Sequence, residues 1–263
     1  MQLTNIRSEI ERIAPLAAAA AWDASGLQVA ARRREAAILA VCLDPKPQSI
    51  ALALDRGAEC ILSHHPLSLK PTLPNRLDAW HESLRLLLRA DVPLYAAHTS
   101  LDVNPCGPVG WLAEELRLER RCVLEPVAAA SEGELPLGFG LAGDVPEAMS
   151  IEEIIALIAR HAPLPSVSAC GPQPEIVRRV AYCTGSGSSL IGAAQSVGAE
   201  VFITGDVKYH TALDAEICLL DVGHHSLEEE MMRRMAMQLQ ERLEGLEVIF
   251  VPSVSPFRPQ PMP

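Results

Sequence analysis

The sequence predicts an α/β protein: two pseudo-repeated βαβ lobes with largely parallel sheets and a metal site between the lobes. Three observations carry this expectation. Short apolar runs alternate with helical patterns along both halves, the signature of βαβ units. Residues 41–65, VCLDPKPQSIALALDRGAECILSHH, align without a gap on residues 182–206, YCTGSGSSLIGAAQSVGAEVFITGD, at an offset of 141. That alignment sets Cys42 on Cys183, Ile50 on Ile191, Ala53 on Ala194, and Gly57-Ala58-Glu59 on Gly198-Ala199-Glu200. Further on, His98-Thr-Ser-Leu-Asp102 is echoed by His224-His-Ser-Leu-Glu228 at the shorter offset of 126.

Taken in order, residues 5–21 carry helical spacing through Ile6, Ile10, Ile13 and Leu16, and Trp22–Val29 reads as a turn running into a strand. Ala36–Leu43 is a continuous apolar run bounded by charge and Pro45, as a buried strand requires. Ser49–Arg56 is a short helix closed by Gly57, and Cys60–Ser63 is the next strand, with His64-His65-Pro66 directly after it. Asp78–Ala90 is a helix with its leucines on one face, Val92–Ala97 a third strand ending at His98, and Gly110–Leu118 helical. The second half repeats the scheme: strand 177–183, helix 188–197, strand 200–204, a helix near 208–216, strand 217–222, and a long helix over about 226–244. Residues 125–176 are richer in Pro and Gly and read as a joint, holding one helix, Ser150–His161, opened by the capping box of Ser150 and Glu153. The expected division is therefore 1–124 as the first lobe and 125–263 as joint plus second lobe, in one two-lobed unit. The tail from Pro252 to Pro263 carries five prolines and is expected at the surface.

Composition narrows the function. At 263 residues and 49% hydrophobic, the chain can fill one large or two modest cores. Against 33 acidic residues stand 22 Lys and Arg, a net charge of −11, which argues against a nucleic-acid partner. The opening MQLTNIRSEIER has no basic region followed by an apolar one, so it is not a signal peptide, and the alanine-rich run from Pro15 to Trp22 is far too short to span a bilayer. Seven cysteines without a C-x-x-C pair read as reduced thiols in a cytoplasmic protein.

The chemistry sits at strand ends. In an open parallel sheet, ligands bind beyond the carboxyl ends of the strands. His64 and His65 follow one strand, Asp102 lies four residues after another, and His224 follows a third. Glu228 lies four residues after His224 on one helical face, so both side chains can grip one ion. Neighbouring His64 and His65 point apart on an extended backbone, so they suit two ions better than one. Imidazole plus carboxylate without thiolate favours zinc, manganese, iron or nickel. Two such ions, roughly 3.5–4 Å apart, can hold a bridging hydroxide as a hydrolytic nucleophile. Each element has a blander reading. A single histidine after a strand is usually a turn residue, and Glu228 opens the run Glu228-Glu229-Glu230, where acids favour the helix dipole. Five groups converging from three strand ends favour the metal centre.

These motifs carry a resemblance. Ser63-His64-His65-Pro66, His98-Thr-Ser-Leu-Asp102, Thr204-Gly-Asp-Val-Lys-Tyr-His210 and Asp221-Val-Gly-His-His-Ser-Leu-Glu228 resemble the Nif-three-like family, the GTP cyclohydrolase I type 2 homologues, in its short form without an inserted domain. The likeness runs from Trp22–Val29 through Leu137-Gly-Phe-Gly140 nearly to the C-terminus. It implies the Nif-three-like two-lobed fold, two divalent metal ions, and a homohexamer ring. Carried over residue by residue, the metal ligands are His64, His65, Asp102, His224 and Glu228, with His98 as a supporting residue or occasional ligand. One departure stands out: Val103-Asn-Pro-Cys-Gly-Pro-Val-Gly110 replaces the glycine-rich run with an asparagine that the family shows after the aspartate.

Further signals are weaker. Gly185-Ser-Gly-Ser-Ser189 joins a strand to a helix and could cradle an anion, or simply make a tight turn. Asp206, Lys208 and His210 follow the strand that matches the one before His64, and are candidates for acid–base or substrate-facing roles, or for a capped helix start. Trp22 and Asp23 are candidates to close a cavity, with a place in the core the expected reading for Trp22. Two functions stay open: a metal-dependent hydrolase of a small nucleotide-like or phosphorylated substrate, and a non-catalytic metal-delivery or metal-regulated binding protein.

Overall fold

A computed structural model describes residues 1–129 and 133–257. The chain forms two compact units, one of Met1–Leu101 and Met232–Ser253, the other of residues 102–231 with the described residues from Val254. Both are α/β, each built on one sheet, as the sequence predicts.

In the first unit, α1 (Leu3–Ile13) buries Ile6, Ile10 and Ile13. It stops well short of residue 21, because Ala14 precedes Pro15 and is driven out of the helical region, to φ −121° and ψ 78°. Then come β1 (Gly26–Val29), β2 (Ile38–Cys42), α2 (Pro47–Asp55), β3 (Cys60–Ser63), α3 (Ala79–Ala90) and β4 (Leu94–Ala96). Pro47 opens α2, where its missing N–H costs nothing, and Gly57 closes the turn at φ +82°. The Asp78 carboxylate caps α3 by accepting from the His81 N–H at 2.9 Å. Helix α4 (Thr99–Asp102) leads into the second unit.

The second unit holds α5 (Trp111–Glu115), β5 (Glu119–Pro126), β6 (Gly138–Met149), α6 (Ile151–Ala159), β7 (Ser168–Cys170), β8 (Val177–Ser186), α7 (Ile191–Ser196), β9 (Val201–Gly205), α8 (Tyr209–Leu213) and β10 (Cys218–Asp221). The capping box on α6 forms as expected, Ser150 Oγ accepting from the Glu153 N–H and Glu153 accepting from the Ser150 N–H. Helix α9 (His224–Arg242) starts in this unit, and β11 (Glu247–Phe250) belongs to the first.

The first sheet runs β1-β4-β3-β2-β11, parallel except for β1. The second runs β5-β6-β8-β9-β10-β7, with a parallel core β8-β9-β10 and antiparallel β5, β6 and β7. Residues 125–176, expected as a joint, also supply β6, β7 and the end of β5 to this sheet. Of the tail, residues 258–263 lie outside the described residues, and Phe257 and Val254 are exposed. No described helix is long and apolar enough to cross a membrane.

The repeat is a repeat of register. In the first sheet Leu39, Ala40 and Val41 pair with Cys60, Ile61 and Leu62. In the second, Val180, Ala181 and Tyr182 pair with Val201, Phe202 and Ile203. Every pair is displaced by the same 141 residues. The cores follow: Ala40, Ala53, Ala58 and Ile61 in one cluster answer Ala181, Ala194, Ala199 and Phe202 in the other. Small residues at the first three places let helix and sheet approach closely, while each large buried side chain contributes about 1.5–3 kcal/mol.

Candidate metal centre

The third strand of each copy shows how the candidate ligands diverged on a shared scaffold. The Ala97 N–H donates to Ser63 O, and the Val222 N–H to Thr204 O, an offset of 125. The histidines stand at an offset of 126, so one residue has been added in the second copy. That residue is Gly223, at φ +86°, which lets the chain turn at once into α9.

In the first unit the ring nitrogens of His64, His65 and His98 all lie within 4.8 Å of one another. His64 is buried and the other two half-buried. Each Nδ1 is taken by an oxygen: His64 by the Ala97 carbonyl at 2.9 Å, His65 by Asp44 Oδ1 at 2.9 Å, and His98 by Asp23 Oδ1 at 2.7 Å. A carbonyl or carboxylate oxygen only accepts here, so each Nδ1 carries the proton, and a neutral ring then offers its lone pair at Nε2. His64 and His65 do not splay apart as extended neighbours would. Their N–H groups both bond Leu43 O, which bends the chain after β3 and sets the ring centroids 5.0 Å apart.

Asp23 is the most constrained group here. Burial would raise its carboxyl, but hydrogen bonds from His98, Ser25 and Thr99 outweigh that and hold it far below the usual range. It therefore stays a carboxylate and fixes the His98 ring. Trp22, expected in the core, is 64% exposed and lies edge-on to His98 at 5.9 Å. The Ala24 N–H and the Ser25 hydroxyl both donate to the Asp23 carboxylate, which is held inward beside His98 while Trp22 lies outward.

The second unit holds the other group. His224 Nε2 meets Glu228 Oε2 at 2.8 Å, the i, i+4 pair the sequence predicts, and Glu228 is buried. His224 Nδ1 is held by Asp206 Oδ2 at 2.8 Å. Burial would lower the imidazole, but Glu228 and then Asp206 outweigh it and push it up to about 9. Asp102, half-buried at the end of α4, lies beside Cys183 and Thr184. Burial, then the Asp102 and Glu228 carboxylates, pushes the Cys183 thiol up, which keeps it a thiol.

Two glycines make room for this group. A Cβ on Gly185 would sit 2.2 Å from Glu228 Oε1, and one on Gly205 would sit 2.3 Å from the His224 backbone nitrogen. These positions match Asp44 and His64 of the first copy. Where copy one carries a carboxylate and an imidazole, copy two has bare backbone against which Glu228 and His224 pack. Asp206, which matches His65, carries the orienting carboxylate instead. Lys208 and His210 are exposed, and the His210 ring meets Tyr209 rather than the imidazole–carboxylate pair.

Asp44 escaped the sequence reading altogether, and Asp23 was weighed only as a cavity-closing residue. The signal for Asp44 was available: in an otherwise matching repeat, an aspartate directly after a strand stands opposite a glycine. Imidazoles with Nδ1 anchored, together with carboxylates and no thiolate, suit a borderline or hard divalent ion.

The Duf34/NIF3 (NGG1p interacting factor 3) family model matches residues 1–256. A GTP cyclohydrolase 1 type 2 homolog from Clostridium perfringens is 30% identical over 257 residues, 96% of each chain. Among solved structures, Staphylococcus aureus protein SA1388 is similar at a TM-score of 0.84 and 26% identity, over 99% of both chains. Reduced HcgD from Methanocaldococcus jannaschii is similar at a TM-score of 0.82 and 26% identity, over 95% of this chain and 98% of its own. With its fold, its ordered motifs and its whole length in agreement, the chain belongs to the Duf34/NIF3 family.

Proposed function

We propose that this protein is a metal-dependent hydrolase of a small nucleotide-like or phosphorylated substrate, with two divalent ions held by His64, His65, Asp102, His224 and Glu228. The observation that carries the reading is the shared preparation of the imidazoles: His64, His65, His98 and His224 each have Nδ1 bonded to an oxygen acceptor. Structural histidines seldom need such uniform orientation, whereas metal ligands do. His98, whose ring nitrogen lies with those of His64 and His65, is a further ligand or a close support.

When bound, the ions supply Lewis acidity and water activated for hydrolysis near neutral pH. The chain's own residues do the rest. Asp23, Asp44 and the Ala97 carbonyl fix which ring nitrogen faces the ions. Asp206 does the same for His224, so it is a positioning residue and not an acid or base in the reaction. The His224 proton shared with Glu228 must leave when a cation takes both atoms. Lys208 and His210, both exposed, are the remaining candidates to meet an anionic substrate. The free cysteines support a reducing, cytoplasmic setting, and the family resemblance supports a hexameric ring.

Elemental analysis after anaerobic reconstitution, on wild type and a His64→Ala/Glu228→Ala variant, tests the centre. Stoichiometric metal in wild type and its loss in the variant are expected, and substoichiometric metal in wild type overturns the proposal. A phosphoester and nucleotide hydrolysis screen with several metals tests the chemistry. Activity lost in the variant is expected; tight metal without turnover in wild type would leave a metal carrier.

A further inference from the structure

Position 184 is where the two copies differ in a way the scaffold does not require. Copy one has Leu43 there, 1% exposed and apolar. Copy two has Thr184, 6% exposed, whose hydroxyl oxygen is sealed from solvent and has no hydrogen-bond partner among the described residues. Leaving a buried hydroxyl unsatisfied costs about 1–3 kcal/mol, and an apolar residue serves this scaffold position in the other copy. A retained hydroxyl therefore points to something it binds.

Thr184 lines a small cavity of about 10 Å³ together with Asp102, Cys183, Tyr182, Gly138 and Gly140. That volume decides the occupant. A water needs at least about 10–15 Å³ of this kind and two to four polar partners. No organic group fits, and one water just does. The polar groups lining it are the Thr184 hydroxyl and the Asp102 carboxylate, with the Cys183 sulfur as a weak acceptor. The Tyr182 hydroxyl already donates to Val109 O and accepts from the Ala113 N–H, and the Cys183 thiol is turned to Thr184 O. The glycines keep the wall thin: at Gly140, φ is +67° and a Cβ would meet Leu124 at 2.7 Å.

We infer that Thr184 is a positioning residue for the metal centre, its hydroxyl holding one buried water against the Asp102 carboxylate. The inference rests on the proposed role of Asp102 as a ligand. The water fixes the carboxylate as Asp44 fixes His65, but through a bridge. Copy two thus sets a hydroxyl and a solvent molecule beside Asp102, where copy one has only leucine at the matching position.

The test compares Thr184→Val, which keeps the shape and removes the hydroxyl, with Thr184→Ser, which keeps the hydroxyl. The full-length protein is titrated with Zn²⁺ and Mn²⁺ against a chelator, and the metal-free Tm is recorded alongside. The valine variant should lose about tenfold or more in affinity, with a metal-free Tm no lower than wild type, and the serine variant should stay within about threefold of wild type. A high-resolution crystal structure should show a water within hydrogen-bond distance of Thr184 Oγ1. Valine binding metal like wild type, valine and serine weakened alike, or a dry cavity would each overturn the inference and leave the metal centre standing. Wild type that binds no metal overturns both.

Discussion

Asp44 and His65 belong to the turns that follow two neighbouring strands, and the carboxylate of one sets the tautomer of the other. Such a carboxylate–imidazole pair adds little to folding, because both side chains are partly in water: 25% exposed for His65 and 32% for Asp44. Its effect should appear in ligation. Asp44→Ala is therefore expected to lower metal affinity about 10–100-fold while changing stability by less than about 1 kcal/mol. Chelator competition beside urea denaturation checks both, and equal losses in the two would mean that Asp44 is structural. The candidate ligands are readable in the sequence as strand-end histidines and acids. Their supporting oxygens were less so, since Asp23 lies 75 positions from His98 and no local period joins them.

Strands β2, β3, β8 and β9 were readable because a strand covered on both faces is a continuous apolar run. Strands β5 and β6 were not. Residues 138–149, GFGLAGDVPEAM, look like loop because of their glycines, yet those glycines serve close strand pairing. A Cβ on Gly138 would lie 2.2 Å from Glu125 O, and one on Gly143 would lie 2.8 Å from Glu119 O. The same criterion separates two glycines of the second unit. Gly205→Ala drives a methyl into the backbone at the start of α9 and should cost about 1–3 kcal/mol. Gly192→Ala, on α7 with nothing within 4 Å, should raise stability by about 0.5–1 kcal/mol. Urea midpoints of the two variants check the opposite signs.

Strand pairing in the second sheet also carries a pH signature. Asp144 on β6 accepts from Arg179 on β8 at 2.7 Å and also pairs with Arg120. The Arg179 hydrogen bond, then Arg120, holds its carboxyl below the ordinary 3.8 in spite of some burial. A depressed folded value means stability that is present above the unfolded value and lost as pH falls through the folded one. Asp144→Asn should therefore lower Tm by about 2–4 °C at neutral pH, and the gap from wild type should close as pH falls below 3.8. A gap that stays constant into acid would assign the effect to packing.

At the scale of the whole chain, a duplication has kept its scaffold and divided its chemistry. Both copies hold the same strand register and the same small-residue core, but one carries His64, His65, His98 and Asp102, and the other carries His224 and Glu228. The repeat was legible because register and core volume constrain each aligned position. The asymmetry was legible only at the positions where polar residues replace the pattern: 44 against 185, 64 against 205, and 65 against 206. If both ligand groups serve one dinuclear centre, removing either should disable the same binding event. His64→Ala and Glu228→Ala would then each lose nearly as much affinity as the double variant, a strongly non-additive cycle. Independent sites would instead give losses that add within about 0.5 kcal/mol. Chelator competition with Zn²⁺ on the four proteins of the cycle decides between one shared centre and two separate ones.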